Sequence, residues 1–203
     1  MSHNGKLKEA DGGVPRVSMD YHFMGKDDEK ARENPNTKEI CVRLTGKKGM
    51  GEGGEMDWLV RDLVEELKTW GHAGGAGGKL IMKCDAEGSI RKVRDAVSKF
   101  LGGEVIPDDP AKGESQSNGV VEEAGKTVRE FVVLLKTQLE EKAGIVIEPG
   151  DVLNQWIVRW AAMLLSRYMV GSDGMTGYER RRGRKCTIAV VPFGEAVGIV
   201  RSG

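Results

Sequence analysis

Lys79-Leu80-Ile81-Met82-Lys83-Cys84-Asp85, followed from residue 89 by Ser-Ile-Arg-Lys-Val-Arg-Asp-Ala-Val-Ser-Lys-Phe-Leu, is the stretch on which the fold turns. The run up to Cys84 is short and nearly continuously apolar, the pattern of a central strand covered on both faces. Residues 89–101 read as a helix, with Ser89 placed to act as its N-cap. A buried strand running straight into a helix is the repeating unit of an α/β sheet. Asp85 stands immediately at the strand's C-terminal end.

Toward the N-terminus, residues 16–24 alternate: Val17, Met19, Tyr21 and Phe23 point one way, and Ser18, Asp20 and His22 the other. The polar residues 25–38 read as a long hairpin tip or insertion, and Ile40, Val42 and Leu44 alternate in a returning strand. A further antiparallel strand within residues 46–52 has a poor signal, because five glycines fall within 46–54. In residues 55–70, Trp58, Leu59, Leu63, Val64 and Leu67 recur at helical spacing. Past the central pair come a short strand at 104–106, a proline- and glycine-bearing loop, and the longest helix at 119–142, about 35 Å at 1.5 Å per residue. A further helix covers 151–170, and a possible strand covers 187–193. This order predicts a mixed α/β sheet with an antiparallel opening and parallel additions, flanked by helices.

At 203 residues the chain suits one domain, divided here into a flexible leader (1–14), a core (15–172) and a basic C-terminal extension (173–203). Lys and Arg number 31 against 31 Asp and Glu, which excludes a histone-like protein. Cys41, Cys84 and Cys186 lie far apart, so neither a disulfide framework nor a cysteine zinc site is readable, and a reducing, intracellular compartment is expected. The first residues are polar and no apolar run approaches 18 residues, so neither a signal peptide nor a membrane span is expected. Two glycine motifs mislead. Residues 49–54 fit G-x-G-x-x-G, but the first Gly lies five residues past Leu44 and the spacing to the next strand-end acid is too long. Residues 73–79 mimic a phosphate loop, yet Leu80 stands where Ser or Thr is needed.

Asp20 sits on the polar face of an otherwise apolar strand, and Asp85 closes a buried one. A carboxylate beside a sheet is expensive unless paired, hydrogen-bonded or metal-bound, so two such positions suggest convergence. The long helix offers a third. On a wheel of about 100° per residue, Lys126 lies about 40° and Arg129 about −20° from Glu122. Val121, Ala124, Val128, Phe131, Val132, Leu135 and Leu139 gather on the opposite side. Glu123 points about 100° away from Glu122 and is the weaker candidate. Taken alone, this face reads first as a solvated charged one with i,i+4 Glu122–Lys126 pairing.

The segment Gln116-Ser117-Asn118-Gly119-Val120-Val121-Glu122 closely resembles the loop-to-helix motif that carries the last acid of retroviral and retrotransposon integrases. In that family the first Asp lies mid-strand in an opening hairpin, as Asp20 does, and the second follows an apolar strand, as Asp85 does. The 36 residues between Asp85 and Glu122 are close to the family's usual spacing. Thr176-Gly177-Tyr178-Glu179 with Gly183-Arg184 looks like the T-P-Y-E…G-R stretch of retrotransposon integrases, with Gly where Pro is usual, and the overall texture is similar to Copia-like elements. Departures are Ala86-Glu87-Gly88 where Asn-Gly often follows the second Asp, a polar insertion after Asp20, and no preceding His/Cys zinc module.

The resemblance, which covers roughly residues 14–195, implies a ribonuclease-H-like fold and an Asp-Asp-Glu polynucleotidyl transferase. It further implies two Mg²⁺ or Mn²⁺ ions on Asp20, Asp85 and Glu122, and action on DNA: 3′-end processing of element ends, then strand transfer into target DNA. Lys126 and Arg129 are expected to hold DNA phosphates, and Gln116 and Asn118 to position the DNA end. Arg180, Arg181, Arg182, Arg184 and Lys185 form a basic patch read as DNA-binding, as a nuclear-import signal, or as a solvated tail. A homo-oligomer is expected, with Trp156 and Trp160 read first as core and second as an interface. A nuclear location follows for a eukaryotic host. Two rivals remain: a nuclease of the same fold acting on hybrid or branched nucleic acid, and a non-catalytic DNA-binding relic.

Overall fold

The strand-to-helix unit forms as β4 (Lys79–Cys84) and α2 (Gly88–Leu101), with only residues 85–87 between them. Ser89 does not cap α2. The helix begins one residue earlier, at Gly88; Glu87 holds the N-cap position, and Ser89 Oγ donates to Glu87 Oε1 at 2.6 Å. The computed structural model describes residues 14–24, 27–34, 37–45, 55–72, 78–109 and 119–195. The other strands are β1 (Arg16–Met24), β2 (Asp27–Asn34), β3 (Glu39–Thr45) and β5 (Glu104–Asp108). The other helices are α1 (Glu55–Thr69), α3 (Gly119–Ala143), α4 (Val152–Tyr168) and α5 (Gly177–Arg182).

The strands make one sheet in the order β3-β2-β1-β4-β5. β1 runs antiparallel to β2 and β2 antiparallel to β3, whereas β1–β4 and β4–β5 are parallel. The pairing corrects one expectation. The strand carrying Ile40, Val42 and Leu44 does not pair with β1; the polar stretch read as a hairpin tip supplies β2 between them. Asp-Asp-Glu-Lys-Ala-Arg-Glu-Asn has no apolar alternation to reveal it. Its register is set instead by backbone pairing to neighbours on both sides, which asks nothing of side-chain polarity. The weaker strand signal at 46–52 lies outside the described residues.

Alternation divides the core into two layers. Val17, Met19 and Tyr21 of β1, with Leu80, Met82 and Cys84 of β4, pack against Leu59, Leu63 and Leu67 of α1 and Ile90, Val93 and Val97 of α2. On the other face, Ile40 and Val42 of β3 meet Val128, Val132 and Leu135 of α3 and Ile157, Val158 and Ala161 of α4. Each fully buried aliphatic side chain contributes about 1.5–3 kcal/mol, so both layers hold the sheet.

The strand expected at 187–193 does not form. That segment lies without regular structure against α3 and α4, with Phe193 on Trp160 at 6.0 Å and Tyr168 Oη donating to Ile188 O at 2.5 Å. Part of the outer edge of β3 is taken up by side chains. Ile40 N donates to Ser166 Oγ at 2.8 Å, Ser166 Oγ donates back to Ile40 O at 3.1 Å, and Arg43 Nη1 donates to Val42 O at 3.0 Å. α5 also packs on α4 and β3, tying residues beyond 172 to the core. No helix among the described residues is long and apolar enough to cross a membrane.

Candidate active site

The sheet register places the first two acids together. Met19 pairs with Cys84 on adjacent parallel strands, so Asp20 and Asp85 each stand one residue further along, on backbones about 4.8 Å apart. Met19 and Cys84 are both fully buried toward α1 and α2. Alternation therefore aims Asp20 at the opposite face, where α3 packs on β1. α3 keeps its predicted stripe, with Val121, Ala124, Val128, Val132 and Leu135 buried, and Glu122 stands exposed in its first turn.

These positions act on one another. The Asp20 carboxyl is pushed up to about 6, first by burial and then by the negative charges of Asp85, Glu122 and Glu87. The Tyr21 N–H, donating to Asp20 Oδ1 at 2.7 Å, opposes the rise without cancelling it. Asp85 is exposed, and its Oδ1 accepts from Ala86 N at 2.7 Å. Glu87 was missed from sequence. Its signal was its place in the Ala86-Glu87-Gly88 departure, two residues past Asp85 in a turn too short to carry it away.

This donor set fits a hard divalent cation. All four groups offer carboxylate oxygens, the ligands that Mg²⁺ and Mn²⁺ prefer, and like charges gathered around a half-buried Asp20 favour a cation between them. Among the described residues no three acidic, His or Cys side chains already close into a coordination cage, so binding requires the carboxylates to draw in. Cys84 does not contribute, since burial pushes its thiol up to about 11 and it faces the α1–α2 layer.

Lys126 is exposed and Arg129 half-buried on the Glu122 side of α3. The i,i+4 ion pair that α3 forms lies further along, Lys136–Glu140 at 3.8 Å; among the described residues Lys126 and Arg129 meet no carboxylate. The Glu122–Lys126 pair of the alternative reading is thus absent. Gln116 and Asn118 lie outside the described residues, as does the side chain of His22.

The basic run splits in two. Arg180 bonds Asp173 through Nε at 2.9 Å and donates to Thr37 O at 3.2 Å and Met175 O at 3.0 Å. Arg181 forms an ion pair with buried Glu39 and donates to Thr69 O at 3.0 Å. Within the run read as a basic patch, these two arginines are also tied into the fold, whereas Arg182, Arg184 and Lys185 are exposed. The Thr176-Gly177-Tyr178-Glu179 motif is a capping box: Thr176 Oγ1 accepts from Glu179 N at 3.1 Å and Glu179 Oε2 accepts from Thr176 N at 2.8 Å. Trp160 is half-buried, whereas Trp156 is 60% exposed, so it is not core.

No family model and no curated protein matches this chain in sequence. Solved structures do match in fold. The catalytic core domain of BIV integrase superposes with a TM-score of 0.56 at 16% identity, covering 84% of this chain and 95% of that one. A chain of the simian T-cell lymphotropic virus intasome, solved in complex with the PP2A regulatory subunit B56 gamma, superposes with a TM-score of 0.57 at 10% identity. There the match covers 93% of this chain and 61% of that one. The chain has the fold of a retroviral integrase catalytic core.

Proposed function

We propose that this chain is the catalytic core of a retrotransposon-type integrase that cuts and joins DNA phosphodiesters. The observation that carries the reading is the Met19–Cys84 register, which sets Asp20 in mid-β1 beside Asp85 just past the end of β4. Glu122 and Glu87 are near enough for their charges to add to the rise that burial gives Asp20. Likeness in fold to integrase cores, one of them within an intasome, supports it.

In this reading Asp20, Asp85 and Glu122 hold two Mg²⁺ or Mn²⁺ ions, with Asp20 between the other two. Such a pair of ions supplies activation of an attacking oxygen and stabilisation of the leaving oxygen in an in-line displacement. Asp20 and Asp85 fix the donors on rigid strands, and Glu122 brings the third from a helix packed across them. Lys126 and Arg129, uncommitted to any carboxylate, bind DNA phosphates beyond Glu122. Gln116 and Asn118 orient the DNA end. Arg182, Arg184 and Lys185 add a weaker basic surface for DNA or nuclear import, and exposed Trp156 on α4 offers an apolar surface for a second copy.

The test is Mn²⁺-dependent nicking and joining of supercoiled plasmid by the purified protein, with Asp85→Asn prepared in parallel. Cutting that requires metal and disappears in the variant is expected. Cutting that persists in Asp85→Asn belongs to a contaminant. A folded protein that binds DNA with strong salt dependence and ignores divalent metal is a binding relic.

A further inference from the structure

Behind Asp85 lies a buried cation that the proposed chemistry does not use. Arg94, on α2, has a side chain only 7% exposed, and its Nη1 donates to Asp109 Oδ1 at 2.5 Å. The same Nη1 lies 3.5 Å from Cys84 Sγ, and Cys84 Sγ lies 3.6 Å from Asp109 Oδ1. Arg91 approaches the other Asp109 oxygen at 3.6 Å. Cys84 is the last residue of β4, fully buried, and the register partner of Met19. The end of β4 is thus held on one side by β1 and on the other by β5, whose ladder stops at Lys83↔Asp108. Past that point the Arg94–Asp109 pair reaches in from α2 to Cys84.

We infer that the Arg94–Asp109 ion pair is a positioning device for Asp85, fixing the lateral place of the β4 terminus and hence the spacing of Asp85 from Asp20. A buried guanidinium holds the carboxylates it pairs with in fixed places, and of Arg94's two partners Asp109 is the one beside Cys84. The second acid is Asp95, whose Oδ1 accepts from Arg94 Nε at 3.0 Å and lies 3.0 Å from Nη2. Removing Asp109's charge therefore leaves the guanidinium drawn toward Asp95 at the surface and loosens its hold on Cys84. The next residue is Asp85, and carboxylates that share ions tolerate displacements of only about 0.5 Å. Arg94 and Asp109 touch neither DNA nor metal in this account. They act through Cys84.

The inference rests on the proposed metal site, and its test separates the two. Asp108 provides the comparison: it neighbours Asp109 and pairs with Arg16 at 2.9 Å, with 36% of its side chain exposed against 33% for Asp109. Wild type, Asp109→Asn and Asp108→Asn are compared by Mn²⁺-induced rise in melting temperature and by kcat and KM for plasmid nicking. Asp109→Asn is expected to raise the Mn²⁺ midpoint and lower kcat by about 10- to 100-fold with KM for plasmid unchanged. Asp108→Asn should match wild type. Equal behaviour of the two variants overturns the inference while leaving the metal site standing. A wild type that shows no Mn²⁺ response overturns the site and the inference with it. Should Asp109→Asn melt below the assay temperature, the same readings on Arg94→Lys, which keeps the charge but loses the planar fork, decide in its place.

Discussion

Two ends of this molecule handle charge in opposite ways. Around α5, almost every buried or half-buried charge has a partner. Arg181 meets Glu39, Arg180 meets Asp173, and Arg43, 6% exposed, meets both Asp62 and Glu66. Where the middle of β1 meets the end of β4, Asp85, Glu122 and Glu87 bear on one half-buried Asp20, and among the described residues Lys126 and Arg129 of α3 meet no carboxylate. The first arrangement holds the fold together. The second raises the Asp20 carboxyl and so costs stability above pH 6, and it is there that the proposed metal chemistry is placed.

The sharpest break of this contrast is at Asp20. Asp20→Asn should lower metal-dependent plasmid cutting by about a thousandfold or more while leaving the protein folded, read by single-turnover gels beside circular dichroism. Undiminished cutting would remove the acid end from the chemistry.

The next largest effect lies at the paired end. Arg181→Met leaves Glu39 buried without its cation and should cost about 3–5 kcal/mol by urea denaturation. Adding Glu39→Gln to that variant should restore much of the loss, since the stranded charge is then gone. Additive losses in the double variant would contradict the pairing argument. Gly177 tests the same junction by shape. A Cβ there would stand 2.8 Å from Lys38 O, so Gly177→Ala should cost about 1–3 kcal/mol by forcing α5 off the β2–β3 turn.

The smallest effect is a pH dependence of the acid end. Asp20 titrates near 6 in the folded chain against about 3.8 when unfolded, so the folded state binds the proton more tightly. Without metal, stability should therefore be lowest above pH 6 and rise as pH falls from about 6 toward 3.8. Because Asp20 is half-buried, solvent screening reduces the swing to about 1–2 kcal/mol. Asp20→Asn should flatten that part of the profile. Glu122→Gln should raise the metal-free melting temperature slightly and abolish the stabilisation by Mg²⁺; an intact metal response would unseat Glu122.

Much of this was legible in the chain. The alternation of Val17, Met19 and Tyr21 and the stripe from Val121 to Leu135 report burial directly, because a strand or helix shows its covered face at a fixed period. Asp20 on the polar face of β1 and Asp85 at the end of β4 were visible for the same reason. β2 was not, since its eight residues carry one Ala among polar side chains and are held by ladders on both sides. Residues 187–193 erred the other way: their strand-like composition joins no ladder, and they lie against α3 and α4, with Ser166 bonded to Ile40 on the edge of β3.

By itself, then, the sequence determined which residues could be buried and which acids would sit on a strand's polar face, end a strand or open a helix, because periodicity and termination are local. Tertiary structure alone decided what each charge would meet. Glu87 became a neighbour of Asp20, and Arg180 and Arg181 became clamps on partners 143 and 112 residues away, instead of a basic tail. A charge settles by the partner and the water left to it, and both are fixed only when distant segments pack.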